Sequence, residues 1–476
     1  MKTEEIARYI IAFLLGEEDP SLAFDLSTRE KKSNRIAQES FSFAGDRFSC
    51  SRVVGYTRDL QEARNYRVVI FPCGFFDYET YGRPLSMPVL PLLEWRGTPL
   101  LFGSPKEEWI EGNGHPTLIL YADLVASTYF LISRYEEMFR RHIRDDWGRF
   151  PGKESLPYKA GFIERPIVDE YASHLQTLIK ATGIPIHTDC RGFRQVNLTH
   201  DIDQPYEYRG VRGFLRAFLK ENLPLYLAHK KAFSPIEKDR YFSFPRFLEW
   251  NKDVAEKASC PVHTIFFYKT PGTHPNDKPN YKLSTPVMRR IRRLAAKYGV
   301  VSGLHVNLTS SLEPERIEQE VTILEKALGE HHIEIGRYHY LACREPEDFL
   351  LLRSAGIRHD YTMGYADVAG FRLGTTRPVR FIFPSTGVIT DLILHPLFFM
   401  DYTLQDSKYM GIDYPEALEL TTRLITEVYK HRGELNLLFH NENLSLDMGN
   451  YQVKLYRNLL RHILFLDRQT PLSSSE

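Results

Sequence analysis

The chain has 476 residues, of which 43% are hydrophobic and 26% are charged, the composition of an ordinary globular protein. Its 61 lysines and arginines balance 61 aspartates and glutamates, so the overall charge gives no indication of a nucleic-acid or membrane partner. Because this length exceeds one ordinary hydrophobic core, we expect two domains.

The amino-terminal segment and the cysteines bear on the compartment. Glu4 and Glu5 stand where a signal peptide needs positive charge, and Arg8 interrupts the apolar run that follows, so an amphipathic helix is predicted over 6–15. No stretch approaches the roughly 20 apolar residues of a membrane span. The five scattered cysteines lack C-x-x-C spacing, which excludes a disulfide framework and a cysteine zinc site. We therefore expect a cytoplasmic protein.

The first part of the chain, residues 1–187, is predicted to form a separate α+β domain. Short β-type runs at 66–71 and 99–102 alternate with glycine and proline. Helical periodicity follows at 122–140 and 166–182. No catalytic spacing is found in this part, and its role is left open.

The second part, residues 188–476, has a repeating rhythm of strands and helices. Candidate strands lie at 195–200, 262–268, 300–307, 334–341, 357–361, 390–396 and 435–440. Helical patterns lie between most of them, at 243–257, 285–299, 313–328, 345–355 and 413–431. This alternation predicts a parallel (β/α)7-8 barrel or an open β/α sheet, and we favour the barrel. The stretch 270–280, rich in proline and glycine, is predicted to be a mobile loop over the barrel mouth.

Two carboxylates follow the first of these strands. Asp201 and Asp203 are two residues apart, and side chains alternate across a strand, so both should project the same way. Two acids sharing one site need positive charge beside them, which a divalent metal, an arginine or both would supply.

Other polar side chains follow the later strands. His305, Arg337, His339 and His440 each come after an apolar run, so all of them should gather at one face of a barrel. An aspartate with two neutral imidazoles makes a suitable site for zinc or another divalent ion.

These segments resemble the motifs of the polysaccharide deacetylases, carbohydrate esterases with a distorted β/α barrel. The matching segments are Thr199–Asp203 for the first motif, Gly303–His305 for the second, Arg337–Tyr340 for the third and His440 for the late histidine. Ser133–Glu137 and Gly148–Phe150 are similar to an uncharacterised domain that often precedes this barrel in bacterial proteins.

The resemblance implies roles for individual residues. Asp201 would be the general base, and Asp203 and His305 would bind one divalent metal, expected to be zinc. Arg337 would pair with Asp201, and His440 would be the general acid. The implied activity is metal-dependent hydrolysis that removes an N-acetyl group from a carbohydrate or a related amide.

The sequence departs from the family pattern at one metal position. The second motif normally supplies another histidine four residues after the first, and Thr309 stands there. His339 is the first choice for the missing ligand and His263 the second. A weakly held metal, or a barrel that has lost its metal and only binds a glycan or a partner protein, remain as alternatives.

Further residues are expected near the substrate. Tyr340, Asp360 and Arg372 are predicted to contact it, although Arg372 could instead satisfy backbone groups of a glycine-rich loop. Asp401 is expected either to orient His440 or to cap a turn. A non-sugar amide is a further possible substrate class, and the oligomeric state is left open.

Overall fold

The computed structural model describes residues 3–16, 53–186, 191–329 and 332–469. In the amino-terminal part the strands are β1 (Val54–Tyr56), β2 (Val68–Ile70), β3 (Leu93–Trp95), β4 (Thr98–Leu100), β5 (Gly103–Glu111) and β6 (Pro116–Ala122). The helices are α1 (Thr3–Leu15), α2 (Leu60–Ala63), α3 (Leu124–Ile132), α4 (Tyr135–Phe139), α5 (Leu156–Lys159) and α6 (Ile167–Ala181). The predicted α+β character is therefore present, and the predicted domain boundary at 187 lies outside the described residues.

The amino-terminal strands form a mixed sheet in the order β1-β2-β6-β5, in which β5 is antiparallel, beside the hairpin β3-β4. The β5-β6 pair was not predicted, because β5 is largely exposed and polar and so lacks an apolar run. The single helix expected over 122–140 is two helices, since Arg134 between them adopts a left-handed conformation with φ 58°.

The second part contains eight more strands. They are β7 (Gln195–Ile202), β8 (Val262–Lys269), β9 (Val301–Val306), β10 (Ile335–Tyr338), β11 (His359–Met363), β12 (Val379–Phe383), β13 (Val388–Pro396) and β14 (Glu434–Leu438). Its helices are α7 (Gly210–Leu215), α8 (Leu225–Phe233), α9 (Phe244–Lys257), α10 (Pro286–Lys297), α11 (Leu308–Leu312), α12 (Ile317–Leu328), α13 (Asp348–Ser354), α14 (Asp401–Gln405), α15 (Tyr414–Lys430) and α16 (Tyr451–Asp467).

The eight strands form one sheet in the order β12-β13-β11-β10-β9-β8-β7-β14. Seven of them are parallel, and only β12 is antiparallel to its neighbour. The gap between β13 and β14 is crossed by the bridge Met400–Leu438 and by His395, whose Nδ1 lies 2.7 Å from Glu434 Oε1. The predicted distorted β/α barrel is thus confirmed, with a seam held by side chains in place of a full ladder.

The seven predicted strands are all present, with shifts of a few residues at their ends. The start of α15 also follows its sequence signal, because the Asp413 side chain accepts a hydrogen bond from Glu416 N. Strand β12 and the helices α7, α8, α11, α14 and α16 were not predicted. The stretch 270–280, predicted to be a mobile loop, contains the buried Asp277, which accepts hydrogen bonds from the amides of Leu308 and Thr309. Its mobility stays a prediction.

One buried hydrophobic cluster runs through both parts of the chain. At their contact, Gly374 leaves just enough room for Leu131, whose Cδ1 would lie 2.7 Å from an added Cβ. Asp169 of α6 accepts hydrogen bonds from Thr375 and Thr376. No helix in the described ranges is long and apolar enough to cross a membrane.

Candidate metal and catalytic site

The strand registers bring the predicted polar residues into one layer at the carboxyl ends of the barrel strands. His305 of β9 pairs with Arg337 on one side and with Lys269 on the other. Strand β7 lies on the other side of β8, and its Asp201 pairs with Phe267 of β8. The polar groups are therefore neighbours because their strands are, although they are far apart in the chain.

Asp201 is held by an arginine at the centre of the barrel. Its Oδ1 accepts a hydrogen bond from Arg337 Nη1 at 2.8 Å, and Arg337 also donates to the carbonyl of Tyr361 at 3.0 Å. Burial alone would raise the pKa of Asp201, but its electrostatic interactions with His305, Arg337 and His440 outweigh burial and lower that pKa. Asp201 is therefore a carboxylate with one oxygen, Oδ2, directed away from Arg337.

Asp203 lies between two histidines. Its Oδ2 is 3.2 Å from His339 Nε2, and its Oδ1 is 3.5 Å from His305 Nε2. One ligand atom from each of these three residues falls within 4.8 Å of the other two. An aspartate and two imidazoles at this spacing form a set of donors that suits a divalent ion with open positions.

The two histidines are oriented as metal ligands usually are. His305 Nδ1 lies 3.0 Å from the carbonyl of Arg337 and His339 Nδ1 lies 3.2 Å from Asp277 Oδ1, so each ring has Nε2 directed toward Asp203. Burial lowers the pKa of His305 to about 4, which leaves its imidazole neutral and able to coordinate.

Two buried atoms of this group have no hydrogen-bond partner among the described residues. They are Asp203 Oδ1 and His305 Nε2, which lie 3.5 Å apart. Each of the two atoms can offer a lone pair to a metal ion. Buried polar atoms without a partner are rare in native proteins, and an ion explains them. The residues present therefore fit a divalent metal.

Thr309 supports this group from the position where the family pattern has a histidine. Its hydroxyl donates to Asp277 Oδ2 at 2.7 Å and accepts from the backbone amides of Thr273 and His274. Asp277 in turn orients His339. The threonine therefore acts through the Asp277 carboxylate on His339, which directly follows β10 and stays the candidate for the third ligand. His263, the other candidate, pairs with Asn197 at the opposite end of its strand.

Lys269 introduces a cation that the sequence analysis did not consider. Its buried ammonium lies 3.5 Å from Asp203 Oδ1 and donates to the carbonyl of Asp277 at 3.2 Å. Burial opposes ionisation of Asp203, but Lys269 and His339 lower its pKa well below the usual range. Lys269 was available to sequence reasoning, because it ends a predicted strand just as His305 does.

His440 approaches the two carboxylates from β14. Its Nε2 is 3.9 Å from Asp201 Oδ2 and 3.8 Å from Asp203 Oδ2, and its Nδ1 is 2.7 Å from Asp401 Oδ1. Burial by itself lowers the pKa of His440, but Asp401 and the site acids raise it to about 10. The imidazole therefore carries a proton at neutral pH, and of the two roles considered for Asp401 the orienting one is observed.

A further carboxyl beside this histidine was missed. Glu442 is buried, its Oε1 accepts a hydrogen bond from Tyr402 at 3.4 Å, and its Oε2 has no partner among the described residues. Burial raises the pKa of Glu442 to about 8. Its position two residues after His440 is visible in the sequence. The sequence does not show, however, that the Glu442 side chain is buried.

The amino-terminal part of the chain reaches this site through one loop. Trp147 stacks on Tyr340 with the ring centres 4.7 Å apart, and Arg149 donates to the Tyr340 carbonyl at 2.7 Å. The Tyr340 ring also contacts the His339 ring, with the ring centres 4.1 Å apart. Tyr340 and Leu341 have left-handed backbones, with φ 59° and 55°, so the turn after β10 is held from outside the barrel.

Two residues expected to contact substrate are used elsewhere. Asp360 is buried and its two oxygens accept from the hydroxyl and amide of Thr362. Arg372 is buried and donates to both oxygens of Glu137 and to the carbonyl of Gly364. Both side chains are engaged in internal hydrogen bonds, and the substrate contacts expected for them stay predictions. Tyr340 remains at the mouth and half-buried.

Comparisons with known proteins give limited information. The family model that matches covers residues 3–183 and describes a family of unknown function, DUF7033. A comparison with curated proteins finds no match. The function of the chain therefore has to be argued from the site.

Three solved structures are similar to the chain. A protein from Mycobacterium smegmatis, provisionally described as a polysaccharide deacetylase, shows 15% identity and a TM-score of 0.36 over 59% of this chain and 86% of its own. Another from Bordetella bronchiseptica, provisionally described as a polysaccharide deacetylase involved in O-antigen biosynthesis, shows 16% identity and a TM-score of 0.26 over 60% and 87%. The 4-alpha-glucanotransferase from Thermococcus litoralis shows 14% identity and a TM-score of 0.30. The match covers 60% of this chain and 38% of the glucanotransferase. At these TM-scores none of the likenesses assigns a function.

Proposed function

We propose that the protein is a metal-dependent hydrolase that removes an N-acetyl group from a carbohydrate or a related amide. The observation that carries the proposal is the cluster of Asp203, His305 and His339, whose ligand atoms converge beside a second carboxylate, Asp201. When bound there, a divalent ion such as zinc would polarise the amide carbonyl and lower the pKa of the attacking water.

The protein's own residues supply the proton transfers. Asp201, kept ionised by Arg337, accepts the proton of the attacking water through Oδ2. His440, protonated at neutral pH because of Asp401, donates a proton to the leaving amine. The base and the acid lie on neighbouring strands, with Asp201 Oδ2 and His440 Nε2 3.9 Å apart, which is close enough to serve one scissile bond.

The surroundings of the site support a sugar or another amphipathic substrate. The half-buried rings of Tyr340 and Trp147 lie at the mouth and offer apolar faces beside a polar centre. A cytoplasmic location would favour a sugar intermediate made inside the cell over a finished cell-wall polymer. Both statements belong to the proposal.

A second candidate function is a barrel that binds a glycan or a partner without catalysis. Lys269 favours it, because an ammonium 3.5 Å from Asp203 supplies positive charge that a metal would otherwise provide. Such a module would keep its fold and its ligand without a divalent ion.

Metal content by elemental analysis separates the two functions. We expect about one divalent ion per chain in the wild type after dialysis against zinc, and its loss in Asp203→Ala and in His305→Ala. His142→Ala, at an exposed histidine of the amino-terminal part, is the matched control and should retain the ion. Absence of bound zinc, cobalt and nickel from the wild type would refute the hydrolase and leave the binding module.

Substrate class is tested next on the metal-loaded protein. We expect acetate release from N-acetylated sugars to exceed release from non-sugar acetamides. Release should be abolished in Asp201→Asn, which retains shape while removing the base. Equal rates on both groups of compounds would show that the sugar part of the proposal is wrong.

A further inference from the structure

A helical hairpin is inserted between β7 and α9, directly after Asp203. It consists of α7, which continues as a π-helical turn over Arg216–Lys220, and of α8. Glu207 N donates to Asp239 Oδ1 at 2.9 Å across its base, and Asn441 donates to the carbonyl of Gln204 at 2.8 Å. The hairpin is therefore rooted beside the candidate site, next to the strand ends that carry Asp203 and His440.

The hairpin exposes an unusual amount of apolar surface. Of the 22 large hydrophobic side chains that are exposed in the described residues, seven lie within residues 211–233. They are Val211, Leu215, Phe218, Leu219, Leu225, Tyr226 and Phe233. Large contiguous apolar surfaces of this kind usually mark an interaction site.

The apolar side chains of the first helix follow one stripe, most of which is exposed, whereas Phe214 is half-buried against α8. Val211, Leu215 and Leu219 are four residues apart, with Phe214 and Phe218 between them, which is the spacing of one helical stripe. Such a stripe normally packs on the protein core, yet α7 has no buried residue. A small cluster around Ala217 and Ala228, together with contacts of the Phe214 ring with His229 and Phe233, holds the two helices together.

Positive charge accompanies the apolar surface. Between 209 and 233 the chain has one acidic residue, Glu221, and six basic residues, which are Arg209, Arg212, Arg216, Lys220, Lys230 and Lys231. The net charge of this segment is +5 with histidine counted as neutral, whereas that of the whole chain is zero. The balanced total, from which no membrane partner was expected, therefore conceals a local excess.

We propose that this hairpin docks onto the surface of an anionic lipid bilayer. Helices that lie in a bilayer interface combine an exposed stripe of leucine and aromatic residues with lysine and arginine beside it. Arginine and aromatic residues are also enriched at protein–protein interfaces, but lysine is depleted there, and the net charge of +5 favours an anionic lipid surface. The proposal is independent of the hydrolase function, and docking would bring the candidate site close to the membrane.

A second exposed apolar segment provides an internal comparison. Leu85 and Val89 in the amino-terminal part are 79% and 82% exposed. The segment 78–94 around them has one arginine and two glutamates, so it lacks the positive charge of the hairpin. Both segments thus expose apolar side chains, but only the hairpin of the two carries an excess of positive charge.

Co-sedimentation of the full-length protein with lipid vesicles tests the proposal. We expect binding to an equal mixture of phosphatidylcholine and phosphatidylglycerol, weak binding to phosphatidylcholine alone, and release by added salt. Arg212→Glu with Lys220→Glu, and separately Leu219→Ser with Tyr226→Ser, should each weaken binding about tenfold or more. These four side chains are exposed, so the variants should unfold at the wild-type temperature.

The control is Leu85→Ser with Val89→Ser, which should bind the mixed vesicles like the wild type. Failure of the wild type to sediment with them would overturn the proposal, and so would an equal loss in the control. If the wild type ignores vesicles but the hairpin variants turn a dimer into a monomer in size-exclusion chromatography, the hairpin is an interface between copies. That outcome also overturns bilayer docking.

Discussion

At the scale of single residues, Thr309 helps to hold the candidate site together, at the position where the resemblance implies a histidine. The hydroxyl of Thr309 and the amides of residues 308 and 309 fix Asp277, which fixes the His339 ring. The candidate ligand His339 directly follows β10, and the threonine contributes through its hydrogen bonds. Partners of this kind commonly tune metal affinity as strongly as some ligands do.

Removal of the Thr309 hydroxyl should therefore weaken metal binding. In Thr309→Val, which preserves the shape, we expect the affinity for zinc to fall about 10–100-fold, because Asp277 loses its strongest side-chain donor. Thr309→Ser keeps the hydroxyl and should stay within a few-fold of the wild type. Competition titration with a chelator measures both, and equal affinities in the valine variant and the wild type would contradict this role.

The proton on His440 should depend on Asp401. Because Asp401 raises the pKa of His440, Asp401→Asn should lower it, by about one unit or more. The acid would then lose its proton at lower pH, so the alkaline limb of the kcat/KM profile should move toward neutral pH. NMR titration of the His440 ring gives a readout that does not require activity, and an unchanged pKa would exclude Asp401 as the cause.

At the scale of elements, the loop 145–152 connects the amino-terminal part to the turn that carries His339. A left-handed backbone at a non-glycine residue costs on the order of 1–3 kcal/mol, and this turn has two such residues, Tyr340 and Leu341. Arg149 and Trp147 hold Tyr340 in that conformation from across the boundary. This gives the amino-terminal part a positioning role in the site of the barrel.

Arg149→Ala should consequently reduce metal affinity, by about tenfold, although Arg149 touches no ligand atom. Arg141→Ala is the matched control, since Arg141 pairs with Glu347 across the same boundary without touching the turn at Tyr340. Zinc affinity of the two variants, measured side by side, tests this connection. Equal losses would indicate a general effect of the boundary in place of a specific one.

At the scale of the whole molecule, buried ionic groups connect the two parts of the chain, and we expect the two parts to unfold together. Glu137 of α4 lies between Arg134 and Arg372, and all three side chains are buried. Burial opposes ionisation of Glu137, but the two arginines lower its pKa to about 2. The stability that this carboxylate contributes is therefore present above its ordinary pKa and is lost as the pH falls toward 2.

Glu137→Gln should destabilise both parts together, by about 3–5 kcal/mol at neutral pH, because it leaves two buried arginines unpaired. Its stability should also depend less on pH between about 4.5 and 2 than that of the wild type. Glu164→Gln breaks the exposed pair with Arg423 across the same boundary and should cost less than about 1 kcal/mol. Urea unfolding at several pH values measures these stabilities. Two separate unfolding transitions in the wild type would contradict the expectation that both parts of the chain unfold together.

The sequence by itself determined seven of the eight barrel strands, their order along the chain and the positions of the polar residues at the strand ends. Strand alternation and the succession of strands and helices are local properties, which is why Asp201, Asp203, His305, Arg337 and His440 could be recognised before the structure. Substrate identity and the roles of these residues in catalysis stay predictions.

Only the tertiary structure decided which residues meet. Several contacts join segments that are far apart in the chain. Lys269 and Asp277 contact residues of the site, Arg372 donates to Glu137, and Trp147 stacks on Tyr340. The hairpin was hidden for a related reason, since its apolar stripe looks the same in the sequence whether it faces the core or solvent. Such contacts depend on how elements pack, which periodicity along one element cannot specify.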